Sequence, residues 1–183
     1  LMSQYYQKAF GLKIIITRMF SHEGKRRGKQ FALSSFAHQI VQHERSYGHY
    51  LGGSALLKQE LYSTLPKFPI YVGNLDSIRT YAHIDDAVKA YWLASQKGEY
   101  GEVYNIGGNH TCTVSEALDN LLSKSILPKD KFIKTIDPTL TRPTDITMQI
   151  PNCEKFKKCT GWEPQKQFDD ITNDLLTYWR SRN

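Results

Sequence analysis

Cysteine is scarce. Cys112, Cys153 and Cys159 are the only three in 183 residues, an odd number with no C-x-x-C pair. Neither a disulfide framework nor a zinc site is suggested, and no metal site is expected. Long apolar runs are absent too: none approaches the ~20 residues of a membrane span, so no membrane partner is expected. The opening Leu1–Met2 shows no basic-then-apolar leader, and a cytoplasmic protein is the default expectation. Internal repeats and low-complexity tracts are also missing. What remains, 40% hydrophobic and 23% charged residues, is an ordinary globular mix that excludes disorder and a coiled coil.

Charge is lopsided but not concentrated. The formal net charge is +6 and the pI about 9.1. Lys25, Arg26, Arg27 and Lys29 cluster, as do Lys155, Lys157 and Lys158; elsewhere the basic residues scatter. A nucleic-acid surface shows a basic stripe interleaved with aromatics, and none is legible, so no nucleic-acid partner is expected. A small polyphosphate ligand suits the excess better.

Hydrophobic spacing lays out an α/β chain. Residues 2–10 read as a helix stopped by Gly11. Lys13 to Phe20 follows, with a continuous β-branched centre suited to a strand buried on both faces. After a charged loop from Ser21 to Gly28, residues 30–43 return to helical spacing with Leu33, Phe36, Ile40 and Val41 on one side. Arg45 to Pro66 is broken by glycines, with a short helix expected over Leu56 to Leu61. Phe68–Val72 and Thr80–Ile84 read as strands, and Asp85 or Asp86 can cap the helix carrying Val88, Tyr91, Trp92 and Ser95.

Further on, Glu102–Ile106 is a second buried-strand candidate, ended by Gly107 and Gly108. Thr113-Val-Ser-Glu116 is a capping box opening a helix with Leu118, Leu121 and Leu122. Lys131–Ile136 suits a strand, and Asp137 to Pro151 a surface connection. Phe168, Ile171, Leu175, Leu176 and Trp179 follow helical spacing. Two strands buried on both faces need more neighbours than this chain offers. The sequence therefore reads as the back half of something larger.

Four segments, in register, carry a resemblance. Thr17-Arg-Met-Phe-Ser-His-Glu-Gly-Lys-Arg-Arg-Gly28 resembles R-x-F-N-H-E-x-x-R-R-G, and Gly73-Asn-Leu-Asp-Ser-Ile-Arg-Thr-Tyr81 resembles G-N-L-D-x-x-R-D-W. Arg142-Pro-Thr-Asp145 is similar to R-P-T-E, and Thr160-Gly-Trp-Glu-Pro164 to L-G-W-x-P. These are segments of the extended short-chain dehydrogenase/reductases that process nucleotide sugars, within which the chain looks most like the GDP-mannose 4,6-dehydratases. The resemblance implies the C-terminal part of an NAD(P)-binding Rossmann fold plus a small α/β substrate-binding domain. The strands near 13–20 and 102–107 would then belong to the cofactor-domain sheet.

The family's glycine-rich turn, which seats a pyrophosphate on a helix N-terminus, does not occur here. Nor does its Tyr-x-x-x-Lys pair: four residues after Tyr5 and Tyr6 stand Ala9 and Phe10. The resemblance therefore implies a substrate-binding half with no catalytic residue of its own and no activity alone. Its expected partners are the N-terminal dinucleotide-binding half and a GDP-sugar, in a homodimer or homotetramer.

By resemblance, His22 and Arg27 contact the cofactor, NADP with NAD as the alternative; a guanidinium suits phosphate oxygens. Ser21 stands at a substrate contact where the family has Asn, which shortens its reach. Arg79 is matched to the arginine that holds the nucleotide diphosphate; its bland alternative is an ion pair with Asp76 or Asp85. Arg142 and Asp145 are matched to ribose and diphosphate contacts, Asp145 replacing a longer Glu. Ser34, Ser35 and Phe36 stand where the family carries basic residues near the base, so guanine selectivity is not secured. Two rival activities stay open. Gly101–Gly108 and Asp174–Arg180 also resemble GDP-4-keto-6-deoxymannose reductases, with epimerases of the same fold beside them; a non-catalytic sugar-nucleotide-binding module is the rival from another class.

Overall fold

The computed structural model describes residues 2–47, 62–141, 144 and 146–182. In chain order these form α1 (Met2–Phe10), β1 (Ile16–Met19), β2 (His22–Glu23), α2 (Ala32–Tyr47), β3 (Phe68–Val72), β4 (Ile78–His83) and α3 (Ile84–Lys97). Then come β5 (Val103–Ile106), β6 (His110–Thr113), α4 (Val114–Ser123), β7 (Phe132–Ile136), β8 (Met148–Gln149), α5 (Glu154–Thr160) and α6 (Phe168–Arg180). The result is a mixed α/β fold in which the β1–β5, β2–β4, β3–β7 and β4–β8 pairings are all parallel. Among the described residues no helix is long and apolar enough to cross a membrane. The short helix read over Leu56–Leu61 lies outside the described residues.

The chain divides into two compact units. The first comprises residues 1–23, 78–111 and 148–171; the second, 24–77, 112–147 and 172–183.

In the first unit Gly11 stops α1 as expected, at φ +64° with its N–H on the Gln7 carbonyl. β1 pairs with β5 from Ile16↔Val103 to Met19↔Ile106. Among the described residues β1 has one strand neighbour, and its residues are half-buried or exposed rather than buried on both faces. The other face of the pair carries a core of Ala90, Ala94, Tyr104, Ile106, Phe156 and Trp162. Trp162 reaches it because Gly161 closes α5 in the left-handed region, at φ +73°.

α3 differs from its sequence reading in two ways. His83 caps it: the Nδ1 accepts the Asp85 N–H at 3.1 Å, so neither aspartate is the cap. Asp86 is instead buried and its Oδ2 accepts the Gln165 and Lys166 N–H groups, pinning the α5–α6 connection. The small residues Ala87, Ala90 and Ala94 face inward because a close helix–sheet approach favours them, leaving Val88, Tyr91 and Trp92 exposed.

In the second unit α2 buries Leu33, Phe36, Ala37, Ile40 and Val41, the face read from the sequence. It packs on α4 and β3. α4 opens with the expected capping box: Thr113 Oγ1 accepts the Glu116 N–H, and Glu116 Oε2 accepts the Thr113 N–H. β3 pairs with β7 from Phe68↔Phe132 to Val72↔Ile136. The second edge of β3 is occupied by side chains of α2. Gln39 accepts the Tyr71 N–H at 2.8 Å and donates to its carbonyl at 3.2 Å, and His43 lies 3.0 Å from the Pro69 carbonyl. Satisfying an edge in this way blunts its tendency to pair with another chain.

Candidate functional site

Three of the residues singled out by sequence lie along one sheet of the first unit. β2 meets the end of β4 through His22↔Ala82 and Glu23↔His83, and the Ser21 carbonyl accepts the Ala82 N–H at 2.9 Å. β8 meets the start of β4 through Ile78↔Met148 and Arg79↔Gln149. His22 on β2 and Arg79 on β4 therefore sit on adjacent strands, with Ser21 just before β2, all three half-buried. With His22 opposite Ala82, the alternation of side chains along a strand puts Arg79 on the opposite face of the sheet from His22.

Arg79 donates from one guanidinium nitrogen to the Ile78 carbonyl at 2.9 Å, a contact that fixes its stem. Its neighbour Thr80 is buried and within 2.8 Å of the Thr111 hydroxyl. His22 Nδ1 lies 3.1 Å from the Phe20 carbonyl, which leaves Nε2 as the ring's other polar atom. Close packing beneath this sheet is enforced by glycine: a Cβ on Gly108 would fall 1.7 Å from the Tyr81 carbonyl oxygen.

Arg27 belongs to the second unit. Its guanidinium lies over the Phe31 ring, 3.3 Å from the centroid. Its carbonyl accepts the Ser34 hydroxyl at 2.6 Å. The preceding residue, Arg26, has positive φ, at 69°, alone in this among the described non-glycine residues. The electrostatic setting is cationic: His38 on α2 is pushed below its ordinary value by burial first, then by Lys29 and Arg45. Such a donor set fits an anionic group, and planar guanidinium is the side chain that meets phosphate oxygens two at a time.

Arg142 and Asp145 lie outside the described residues. Of the three positions on α2 where base contacts were considered, Ser34 and Phe36 are buried, and Ser35 accepts from Gln39. Trp162 packs in the buried cluster of the first unit. Trp179 does more than pack: its indole N–H donates to Ser34 at 3.1 Å, a contact no spacing in the sequence signals. Of the two lysine-rich clusters, the one on α5 is spent on ion pairs, Lys155 with Glu102 and Lys157 with Glu163. An apolar pocket in the first unit, lined by Val88, Trp92, Leu93 and Trp162, contains none of the cofactor or substrate contact candidates. No cluster that could hold a metal ion occurs among the described residues.

Comparison with known proteins identifies the family. Residues 62–175 match the family described as GDP-mannose 4,6 dehydratase, and residues 1–107 the NAD dependent epimerase/dehydratase family. The chain is 25% identical to human GDP-mannose 4,6 dehydratase, aligning over 93% of its own length and 45% of the relative's. It is 30% identical to dTDP-glucose 4,6-dehydratase of Haemophilus influenzae, over 96% and 47% respectively. It also superposes on the structure of RMD from Pseudomonas aeruginosa complexed with NADPH, with TM-score 0.76 and 20% identity, covering all of this chain and 53% of that one. The chain spans about half the length of the relatives it matches. With the HEGKRRG loop, the GNLDSIRT strand and more than half of the sequence in register, the chain belongs to the GDP-mannose 4,6 dehydratase family of extended short-chain dehydrogenase/reductases.

Proposed function

We propose that this chain is the substrate-binding part of an NADP-dependent nucleotide-sugar 4,6-dehydratase acting on a GDP-sugar. The observation that carries the proposal is the β2–β4–β8 register, which sets Arg79 on the strand beside Ser21 and His22 in a chain that belongs to a dehydratase family. Arg79 takes the diphosphate: two adjacent phosphates need paired charge as they leave water, and a guanidinium is always ionised. Ser21 offers one hydroxyl to the sugar. Arg27 grips an anionic group of the dinucleotide, and His22 lies towards its nicotinamide end. Arg142 and Asp145 complete the nucleotide contacts.

NADP, when bound, supplies the hydride acceptor and donor that moves hydrogen from C4 of the sugar to C6 as water is lost across C5 and C6. This chain contributes orientation, where remote binding energy becomes rate. Turnover needs the Tyr-x-x-x-Lys pair, so the chain alone binds without reacting. A reductase reading rests on the segments 101–108 and 174–180; a dehydratase ends each cycle with its cofactor unchanged, whereas a reductase releases it oxidised.

Calorimetric titration with GDP tests the proposal. Arg79→Ala should weaken binding by about 2 kcal/mol, the scale of a lost charge-assisted contact. Unchanged affinity in a folded variant removes Arg79 from the site, and equal affinity for dTDP removes the GDP assignment.

A further inference from the structure

The backbone of the basic loop is held from both sides within the second unit. Arg26, at φ +69°, occupies a region that residues other than glycine, asparagine and aspartate seldom enter. Backbone of this kind persists only where surrounding contacts over-determine it. On one side, Lys25 reaches the Asp174 carboxylate at 3.4 Å. On the other, the Arg27 N–H donates to the Gly24 carbonyl at 3.2 Å, and the Arg27 carbonyl accepts the Ser34 hydroxyl at 2.6 Å.

Ser34 is fully buried, and its hydroxyl is used twice. It donates to Arg27 while its oxygen accepts the Trp179 indole N–H. Trp179 is itself held: its ring meets His38 edge-on at 4.7 Å, and its carbonyl accepts from Arg45 at 2.8 Å. Asp174 and Trp179 both belong to α6, so one helix grips the loop at two points on either side of Arg26.

We infer that Ser34 and Trp179 are positioning residues for Arg27: the line Trp179 Nε1, Ser34 Oγ, Arg27 carbonyl sets the backbone from which the guanidinium projects over Phe31. The inference rests on the proposal that Arg27 grips an anionic group of the dinucleotide, and it gives the C-terminal helix a part in cofactor affinity. Serine suits the middle position because a hydroxyl donates and accepts at one atom, which an alanine of nearly equal size cannot do.

A double-mutant cycle tests this in the protein together with its dinucleotide-binding half, with NADPH as the probe, affinity read by calorimetry and folding by thermal melts of the same samples. Arg27→Ala should weaken NADPH binding about tenfold or more, and Ser34→Ala and Trp179→Phe each roughly fivefold, the scale of one hydrogen bond. Added to Arg27→Ala, Ser34→Ala should cost less than about twofold more, because the residue it positions is gone. Ser34→Ala that lowers the melting temperature but leaves affinity unchanged overturns the inference, as do losses that simply add in the double variant. Arg27→Ala with undiminished binding fails at the earlier step and takes down the assignment of Arg27 together with the inference built on it.

Discussion

Arg180 and Glu44 form a two-pronged pair: Nε donates to Oε2 at 2.8 Å and a terminal nitrogen to Oε1 at 2.7 Å. Glu44 is buried, and Oε1 also accepts the Ser125 hydroxyl and the Ile126 N–H. One carboxylate on α2 thus ties down the turn after α4 and the end of α6. Burial alone pushes its carboxyl up, but Arg180, Ile126 and Ser125 together outweigh that and hold it below its ordinary 4.5. A carboxyl lowered on folding stabilises above its unfolded value, and the stabilisation is lost as pH falls through the folded value. The urea midpoint should therefore drop below pH 4.5 by more in the parent than in Glu44→Gln, which at pH 7 should be about 2 kcal/mol less stable. Parallel pH curves would refute the role.

Two glycines separate strain from crowding. Gly161 has positive φ but open space around a Cβ, so Gly161→Ala should cost only about 1 kcal/mol of backbone strain. Gly108 has no such φ, yet a Cβ there would meet the Tyr81 carbonyl at 1.7 Å. Gly108→Ala should reach or exceed the ~3 kcal/mol upper end of ordinary overpacking. Equal losses in denaturant melts would contradict the close approach of β4.

Trp162 is buried, yet among the described residues its indole N–H has no hydrogen-bond partner. Phenylalanine would keep the packing against Phe156 and discard the donor. Trp162→Phe should stay within about 1 kcal/mol of the parent, while Trp162→Ala should lose roughly 3–5 kcal/mol to the cavity. Equal destabilisation by both would assign the indole N–H a bond.

Cys112 should be slow to react. Burial, with Glu116 adding, pushes its thiol up to about 11. At pH 8 its thiolate fraction is then lower by about two orders of magnitude than that of an ordinary cysteine. Mass-spectrometric mapping of a disulfide reagent's first reaction phase should find Cys112 unlabelled; early labelling there would show an opened site.

Much of the fold was written locally. Gly11, the Thr113–Glu116 box and the buried stripe of α2 act within a turn or two of chain, so spacing alone exposes them. The same holds for the segments around His22 and Arg79, whose residue order carries the family. What spacing could not show is which polar groups meet. Asp85 and Asp86 look alike as caps in a sequence, but His83 takes the cap and Asp86 turns to backbone 79 residues away.

The sequence by itself determined the longer helices and strands, the parallel α/β class and the family, because periodicity and capping are properties of neighbouring residues; the short β2, β6 and β8 and the two-turn α5 leave too little periodicity to read. Only the tertiary structure decided that α3 turns its alanines inward, that Gln39 covers the edge of β3, and that Trp179 reaches Ser34 across 145 residues. Those choices depend on volume and hydrogen-bond satisfaction in the packed interior, where a group that loses water must find a partner from wherever in the chain one lies.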